Sequence, residues 1–284
     1  MSAAKNALFS YYKRVEKRLK YKNMKNKISG TKYIAVTDSG AGGLAVMNKL
    51  NKKYPSLNLL YVSDCAAVPY GNKSDEEIKA RALSSCRAAV KNGAVALVVA
   101  CNTMSLIAGE EISGFGLPCF FVRPDEKEIA KQSELCGGKV ALFCTAASAK
   151  SGAISRLTNI CSCFIQPQQT LASQVERALK EDCVFSIKEK LENCVPEITC
   201  PTDLKCVFLG CTHYIFLKNA FKKRFSGAKL FDGSERVCLF AKSVIKNFSA
   251  VGEEEQLLGG KTRFMGSGAG DMEKAFKMLD KICL

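Results

Sequence analysis

The segment LGCTHY (209–214) places a thiol, Cys211, two positions before His213, the only histidine in a chain of 284 residues that carries fifteen cysteines. A second cysteine, Cys101, sits in a matching context. AVALVVACNT (94–103) and LKCVFLGCTH (204–213) each run from an apolar stretch through a small residue to a cysteine, then to polar residues able to open a helix. A thiol at a helix N-terminus is biased toward thiolate by the partial positive charge there, and a neighbouring imidazolium adds to that bias. Such a sulfur can serve as nucleophile, metal ligand or base.

Each use makes its own demand on the sequence. Zinc would draw on Cys200, Cys206, Cys211 and His213, yet the chain has no CxxC pair and this spacing fits no standard zinc site. A Cys–His nucleophile needs Cys211 and His213 to point at one another, which one intervening residue leaves open. Two facing thiols can instead invert a stereocentre. One removes a proton, the other delivers one to the opposite face, and the roles exchange with the handedness of the substrate. The carbanion between them needs donors around its carboxylate. Burial as a small apolar side chain is the usual fate of a free cysteine and is expected for most of the fifteen.

The inversion requires elements that hold Cys101 and Cys211 on opposite walls of one cleft. KYIAVTD (32–38), LNLLYVSD (57–64), GAVALVVAC (93–101) and LPCFFV (117–122) read as buried strands. GGLAVMNKLNKKY (42–54) and SDEEIKARALSSCRAAVKNG (74–93) read as helices between them. The pattern then restarts with KVALFC (139–144), CSCFIQ (161–166), DLKCVFLGC (203–211) and AKLFD (228–232), with LASQVERALKED (171–182) among its helices. A helix over 234–248, a strand KTRFMG (261–266) and a helix DMEKAFKML (271–279) close the chain. Strand alternating with helix implies parallel sheets and right-handed crossovers. The expected fold is therefore α/β, with two similar α/β domains facing across a cleft. Ligands of open α/β sheets bind beyond the carboxyl ends of the strands, where both cysteines fall.

Composition narrows the class. A hydrophobic content of 47% can fill a large core. The longest apolar runs are far too short to span a bilayer, no secretory signal is visible, and the many irregularly spaced cysteines fit reduced thiols in the cytoplasm. Residues 1–32 hold ten basic residues against one acid, +9 of the net +15. Leu8, Tyr12, Val15 and Leu19 recur there at helical spacing among lysines. This basic N-terminal extension reads either as a solvated helix packed on the body or as a contact for an anionic partner, nucleic acid or a DNA-handling protein among them.

Ordered motifs carry a resemblance beyond the two cysteines. DSGAGGL (38–44), VPYGNKS (68–74), ACNTMS (100–105), TAASAKSG (145–152), LGCTHY, FDGSERV (231–237) and RFMGSGAGDMEKAF (263–276) resemble, in order, segments of the glutamate racemases of the aspartate/glutamate racemase superfamily. The resemblance covers roughly residues 33–284. It implies a first domain of 33–123 completed by 233–284, a second of 124–232, and interconversion of L- and D-glutamate for peptidoglycan with no cofactor, neither pyridoxal phosphate nor metal. It also implies that Cys101 deprotonates D-glutamate with Asp38 assisting, and that Cys211 deprotonates L-glutamate with His213 assisting. Asp38, Ser39, Tyr70, Gly71, Asn102, Thr103, Thr145, Thr212 and His213 would bind the substrate. A glutamate on the second side is matched only by Val175 and Glu176 of LASQVE, where a surface helical glutamate is the plainer reading. Ala41, Met104 and Ile215 depart from the family pattern, and Met104 either narrows the pocket or packs behind Cys101. The expected partners are glutamate, a second copy of the chain and the anionic partner of the extension. An aspartate racemase is the nearest alternative. The glycines of DSGAGG lack a GxGxxG or GK[ST] context, so a phosphate loop is a poor reading.

Overall fold

The computed structural model describes residues 30–194 and 203–282. The proposed amphipathic helix of the extension and Cys200 of the zinc alternative lie outside these residues.

Nine strands form near the runs read as strands, with β6 beginning three residues later than CSCFIQ, at Phe164. β1 (Tyr33–Asp38), β2 (Leu59–Asp64), β3 (Ala94–Val99), β4 (Cys119–Phe121) and β9 (Thr262–Ser267) build one sheet, in the order β4-β3-β1-β2-β9. β5 (Val140–Thr145), β6 (Phe164–Gln168), β7 (Cys206–Gly210) and β8 (Lys229–Asp232) build the other, in the order β6-β5-β7-β8. Every strand pair within them is parallel. All residues of β1, β3, β5 and β7 are buried, which is why these strands read as unbroken apolar runs without alternation.

The two sheets share one plan. Read from its β8 edge, the second sheet runs β8-β7-β5-β6, the same order as β4-β3-β1-β2 in the first. β3 and β7 thus correspond, and so do β1 and β5. In both sheets the strand order reverses direction between these neighbours, and a crevice opens there beyond the carboxyl ends. Asp38 ends β1 and Cys101 follows β3, while Thr145 ends β5 and Cys211 follows β7. The four residues therefore occupy the two crevices.

Local chemistry sets the helices that frame them. Ser74 caps the helix Asp75–Lys91 by accepting from the Glu77 N–H at 3.2 Å, and Asp75, Glu76 and Glu77 lie in its first turn. Thr145 caps Ala146–Ala149 by accepting from the Ser148 N–H. One continuous hydrophobic core joins the sheets, running from Ile34, Val36 and Leu44 to Phe143, Val175, Leu209 and Tyr214. Met104 lies wholly buried in a separate core behind Cys101, with Ile78 and Ala82, so its bulk is taken up in packing. The expectation that most cysteines are buried needs correction. Of thirteen described, five are buried, seven partly so, and Cys183 is exposed, because many sit at strand starts and helix ends. No disulfide forms among the described residues, and no helix among them is long and apolar enough to cross a membrane.

Candidate active site

Cys211 and His213 point at one another after all, with Sγ 3.6 Å from Nδ1. The chain beyond β7 enters a 3-10 helix, Thr212–Leu217, with Cys211 at its N-cap in extended conformation and His213 in its first turn. On the other face of the imidazole, Nε2 lies 2.6 Å from Glu176 Oε1. The same carboxylate oxygen accepts from the Ala41 N–H, also at 2.6 Å. Glu176 is buried, so the surface reading of this residue fails. It lies on the face of the helix Leu171–Ala178 that also buries Leu171, Ala172 and Val175.

The charges follow from these contacts. Burial opposes a charge on His213, but hydrogen bonds to Cys211 and Glu176 outweigh it and hold the imidazole well above its ordinary pKa. Burial likewise opposes ionisation of Glu176, and the His213 contact overcomes it, so this carboxyl titrates below its usual value. An imidazolium donates from both nitrogens, to Oε1 of Glu176 and to Sγ of Cys211, which leaves Cys211 as the acceptor.

Cys101 meets different surroundings. Burial, then the charge of Asp38, pushes its thiol up to about 12. The Met104 N–H at the start of the helix Asn102–Ile107 and the Ser39 hydroxyl favour the thiolate but do not prevail. A charge on Cys211 also raises Cys101, so the two sulfurs feel one another. Asp38 is itself raised to about 6 by burial, against the lowering influence of His213, the Gly40 N–H and the Thr212 hydroxyl. Those two donors lie 3.0 Å and 3.1 Å from its carboxylate oxygens.

The Thr212–Asp38 and Ala41–Glu176 bonds cross from one sheet's crevice to the other's. They require close approach of the DSGAGG turn, and glycine permits it. A Cβ on Gly40 would run into Glu176 Oε1, and one on Gly42 into Thr212 and His213. Gly40 and Gly42 thus permit the approach of the two crevices, whereas Gly43 packs against Asp38 and Tyr61.

The remaining residues divide. Thr103 Oγ1 lies 3.0 Å from Thr145 Oγ1 and 3.2 Å from Ser148 Oγ, a triangle of hydroxyls beside Cys101. Asn102 is 2% exposed, and both its amide nitrogen and its amide oxygen lack a hydrogen-bond partner among the described residues. Two unmatched polar atoms in a closed interior are costly unless something else comes to pair with them. Gly71 lines a surface cavity, while Tyr70 is buried and its hydroxyl donates to Asp64 at 2.8 Å. Sequence reasoning missed Ser148, which lay unremarked inside TAASAKSG, and Tyr61, whose hydroxyl donates to the Gly40 carbonyl at 2.6 Å. It also missed the Ala41 N–H, for which a backbone donor leaves no sequence signal. Cys206 and Cys211 lie at opposite ends of β7, so the zinc grouping does not assemble. No cluster of three or more metal-ligating side chains occurs among the described residues.

Comparison with known proteins finds relatives over most of the chain. The chain is 31% identical to the glutamate racemase of Persephonella marina over 230 residues, 78% of this chain and 86% of that protein. It is 33% identical to the glutamate racemase of Thermus thermophilus over 222 residues, 77% and 80% of the two chains. A crystal structure of glutamate racemase from Thermus thermophilus in complex with β-chloro-D-alanine superposes with a TM-score of 0.61 at 30% identity, covering 86% of this chain and 93% of that one. The RacE1 isoform of Bacillus anthracis, at 22% identity, shares the fold with a TM-score of 0.65 over 89% and 95% of the chains. No family model matches the chain.

Proposed function

Since this chain belongs to the glutamate racemase family and is an amino-acid racemase, we propose that it interconverts L- and D-glutamate by proton transfer between Cys101 and Cys211. The two walls of the cleft are the units 33–123 with 233–284, and 124–232. The observation that carries this reading is the placing of two cysteines just beyond corresponding strands, Cys101 after β3 and Cys211 after β7, with His213 Nδ1 3.6 Å from the Cys211 sulfur.

In this reading the resting protein is set to act on L-glutamate. Cys211 takes the α-proton, with His213 and Glu176 balancing charge as the sulfur changes state. Cys101 delivers its proton to the opposite face of the planar carbanion, which yields D-glutamate and reverses the two sulfurs. D-glutamate is handled by the same steps in reverse. The Asn102 amide and the Thr103, Thr145 and Ser148 hydroxyls supply donors and acceptors to the α-carboxylate and ammonium groups, with Ser39 and Thr212 nearby. Asp38 accepts from Thr212 and ties the Cys101 wall to the Cys211 wall. No step calls on a group from outside the chain. The wider setting proposed, cytoplasmic supply of D-glutamate for peptidoglycan by a homodimer, rests on the family alone.

Solvent deuterium uptake at Cα tests the substrate and the chemistry together. In deuterium oxide, either hand of glutamate should gain deuterium as it converts to the other. Uptake confined to aspartate would select the aspartate racemase alternative, and no uptake at all would end the proton-transfer reading.

A further inference from the structure

Cys101 and Cys211 are 5% and 6% exposed, so substrate reaches them only after passing some outer surface. A cavity of about 400 Å³ lies at the cleft rim, within the size range of small-molecule sites. One wall is the turn carrying Gly71, Lys73 and Asp75, and the other is the helix and loop carrying Ala146, Lys150 and Gln169. The walls meet at the inner end of this cavity, where a Cβ on Gly71 would stand 2.9 Å from the Thr145 Cβ. Thr145 belongs to the hydroxyl triangle of the thiol site. The cavity and the site are therefore two sides of one seam.

Its charges are specific in kind. Lys150 is exposed and makes no ion pair among the described residues, while Lys73 contacts Glu77 at 2.9 Å. Asp75 faces the same space. Two ammonium groups and one carboxylate mirror an amino acid with two carboxylates and one ammonium.

We propose that this vestibule, with Lys150, Lys73 and Asp75, is an outer binding subsite that collects the acidic amino acid before the Gly71–Thr145 seam opens to the thiols. The inference rests on the glutamate reading above. Capture at a charged vestibule raises the local substrate concentration and the rate of productive encounter, and it weakens as salt rises.

The test is kcat/KM for L-glutamate at low and high ionic strength in wild type, Lys150→Glu and Lys188→Glu, the last an exposed lysine away from the cavity. Lys150→Glu should lower kcat/KM about fivefold at low salt, the gap should narrow at high salt, and Lys150→Arg should restore the value. Lys188→Glu, with the same change in net charge, should match wild type. The subsite is overturned if Lys150→Glu equals wild type at low salt, if its loss is the same at both ionic strengths, or if Lys188→Glu loses as much. A wild-type protein that racemises no glutamate overturns the functional reading and the subsite with it, an outcome distinct from active protein indifferent to Lys150.

Discussion

Cys101 and Cys211 follow corresponding strands, β3 and β7, of sheets built in the same order, yet their neighbours differ in kind. Around Cys101 stand hydroxyls, an unpaired amide and the carboxylate of Asp38, and burial keeps the thiol protonated. Around Cys211 stands a charged imidazole backed by a buried carboxylate. The strand that ends in Asp38 on one side ends in Thr145 on the other. In the proposed mechanism this shared framework carries the acid on the Cys101 wall and the base on the Cys211 wall. Symmetry of fold supplies the two corresponding positions, and the side chains around them supply the difference in surroundings.

The sharpest way to break that comparison is to remove each sulfur in turn. Cys101→Ser and Cys211→Ser should each lower turnover of both hands by roughly a thousandfold or more, since an acid without a base inverts nothing. Near-normal racemisation by either variant would remove one wall from the mechanism. L- and D-glutamate are mirror images, so their equilibrium constant is 1 and kcat/KM for the two hands must stay equal in every variant. Asymmetry between the walls can appear only in kcat and KM taken separately. A variant with unequal kcat/KM for the two hands would signal a faulty assay before it signalled new chemistry.

Glu176→Gln probes the second wall with a smaller expected effect, a loss on the order of tenfold. The carboxylate is one of the groups that raise His213, so its removal lowers the imidazole pKa. His213 then loses its charge at a lower pH, and the alkaline limb of the kcat profile should move toward neutrality. A profile that only scales down, with its limbs in place, would make Glu176 a packing group.

Much of this arrangement was legible in the sequence, for definite reasons. Strands buried on both faces produce unbroken apolar runs, which made β1, β3, β5 and β7 plain, whereas the partly exposed β6, β8 and β9 carry a weaker signal, and a cysteine after a small residue marks a strand end. Sheet order was not readable, because nothing local records that β9 crosses back to pair with β2. Glu176 was nearly lost because its motif match is two residues long. Its better signal was a charged residue at a position where the helix Leu171–Ala178 otherwise buries apolar side chains. Asn102 was named from a motif, but the lack of a hydrogen-bond partner for its side-chain amide among the described residues belongs to three-dimensional packing alone.

The smallest expected effect concerns stability and contrasts Asp38 with Thr145. Burial raises Asp38 from 3.8 to about 6 in the folded protein. Below pH 3.8 both folded and unfolded chains hold the proton, and the group's contribution to stability is fully present. As pH rises from there through about 6, the unfolded chain releases its proton first, and that contribution is lost. A shift of about two pKa units corresponds to roughly 3 kcal/mol, most of it lost between pH 4 and 7. Asp38→Asn removes the titration while keeping a side-chain oxygen able to accept from the Gly40 N–H. Urea unfolding across this range should therefore show the variant gaining on wild type by roughly 2–3 kcal/mol as pH rises. Thr145→Val, which deletes a cap at the corresponding strand end, should instead cost about 1 kcal/mol at every pH, because nothing there titrates. If the gap between Asp38→Asn and wild type stayed constant with pH, Asp38 would be no more acid-like than Thr145, and the electrostatic difference between the walls would rest on His213 and Glu176 alone.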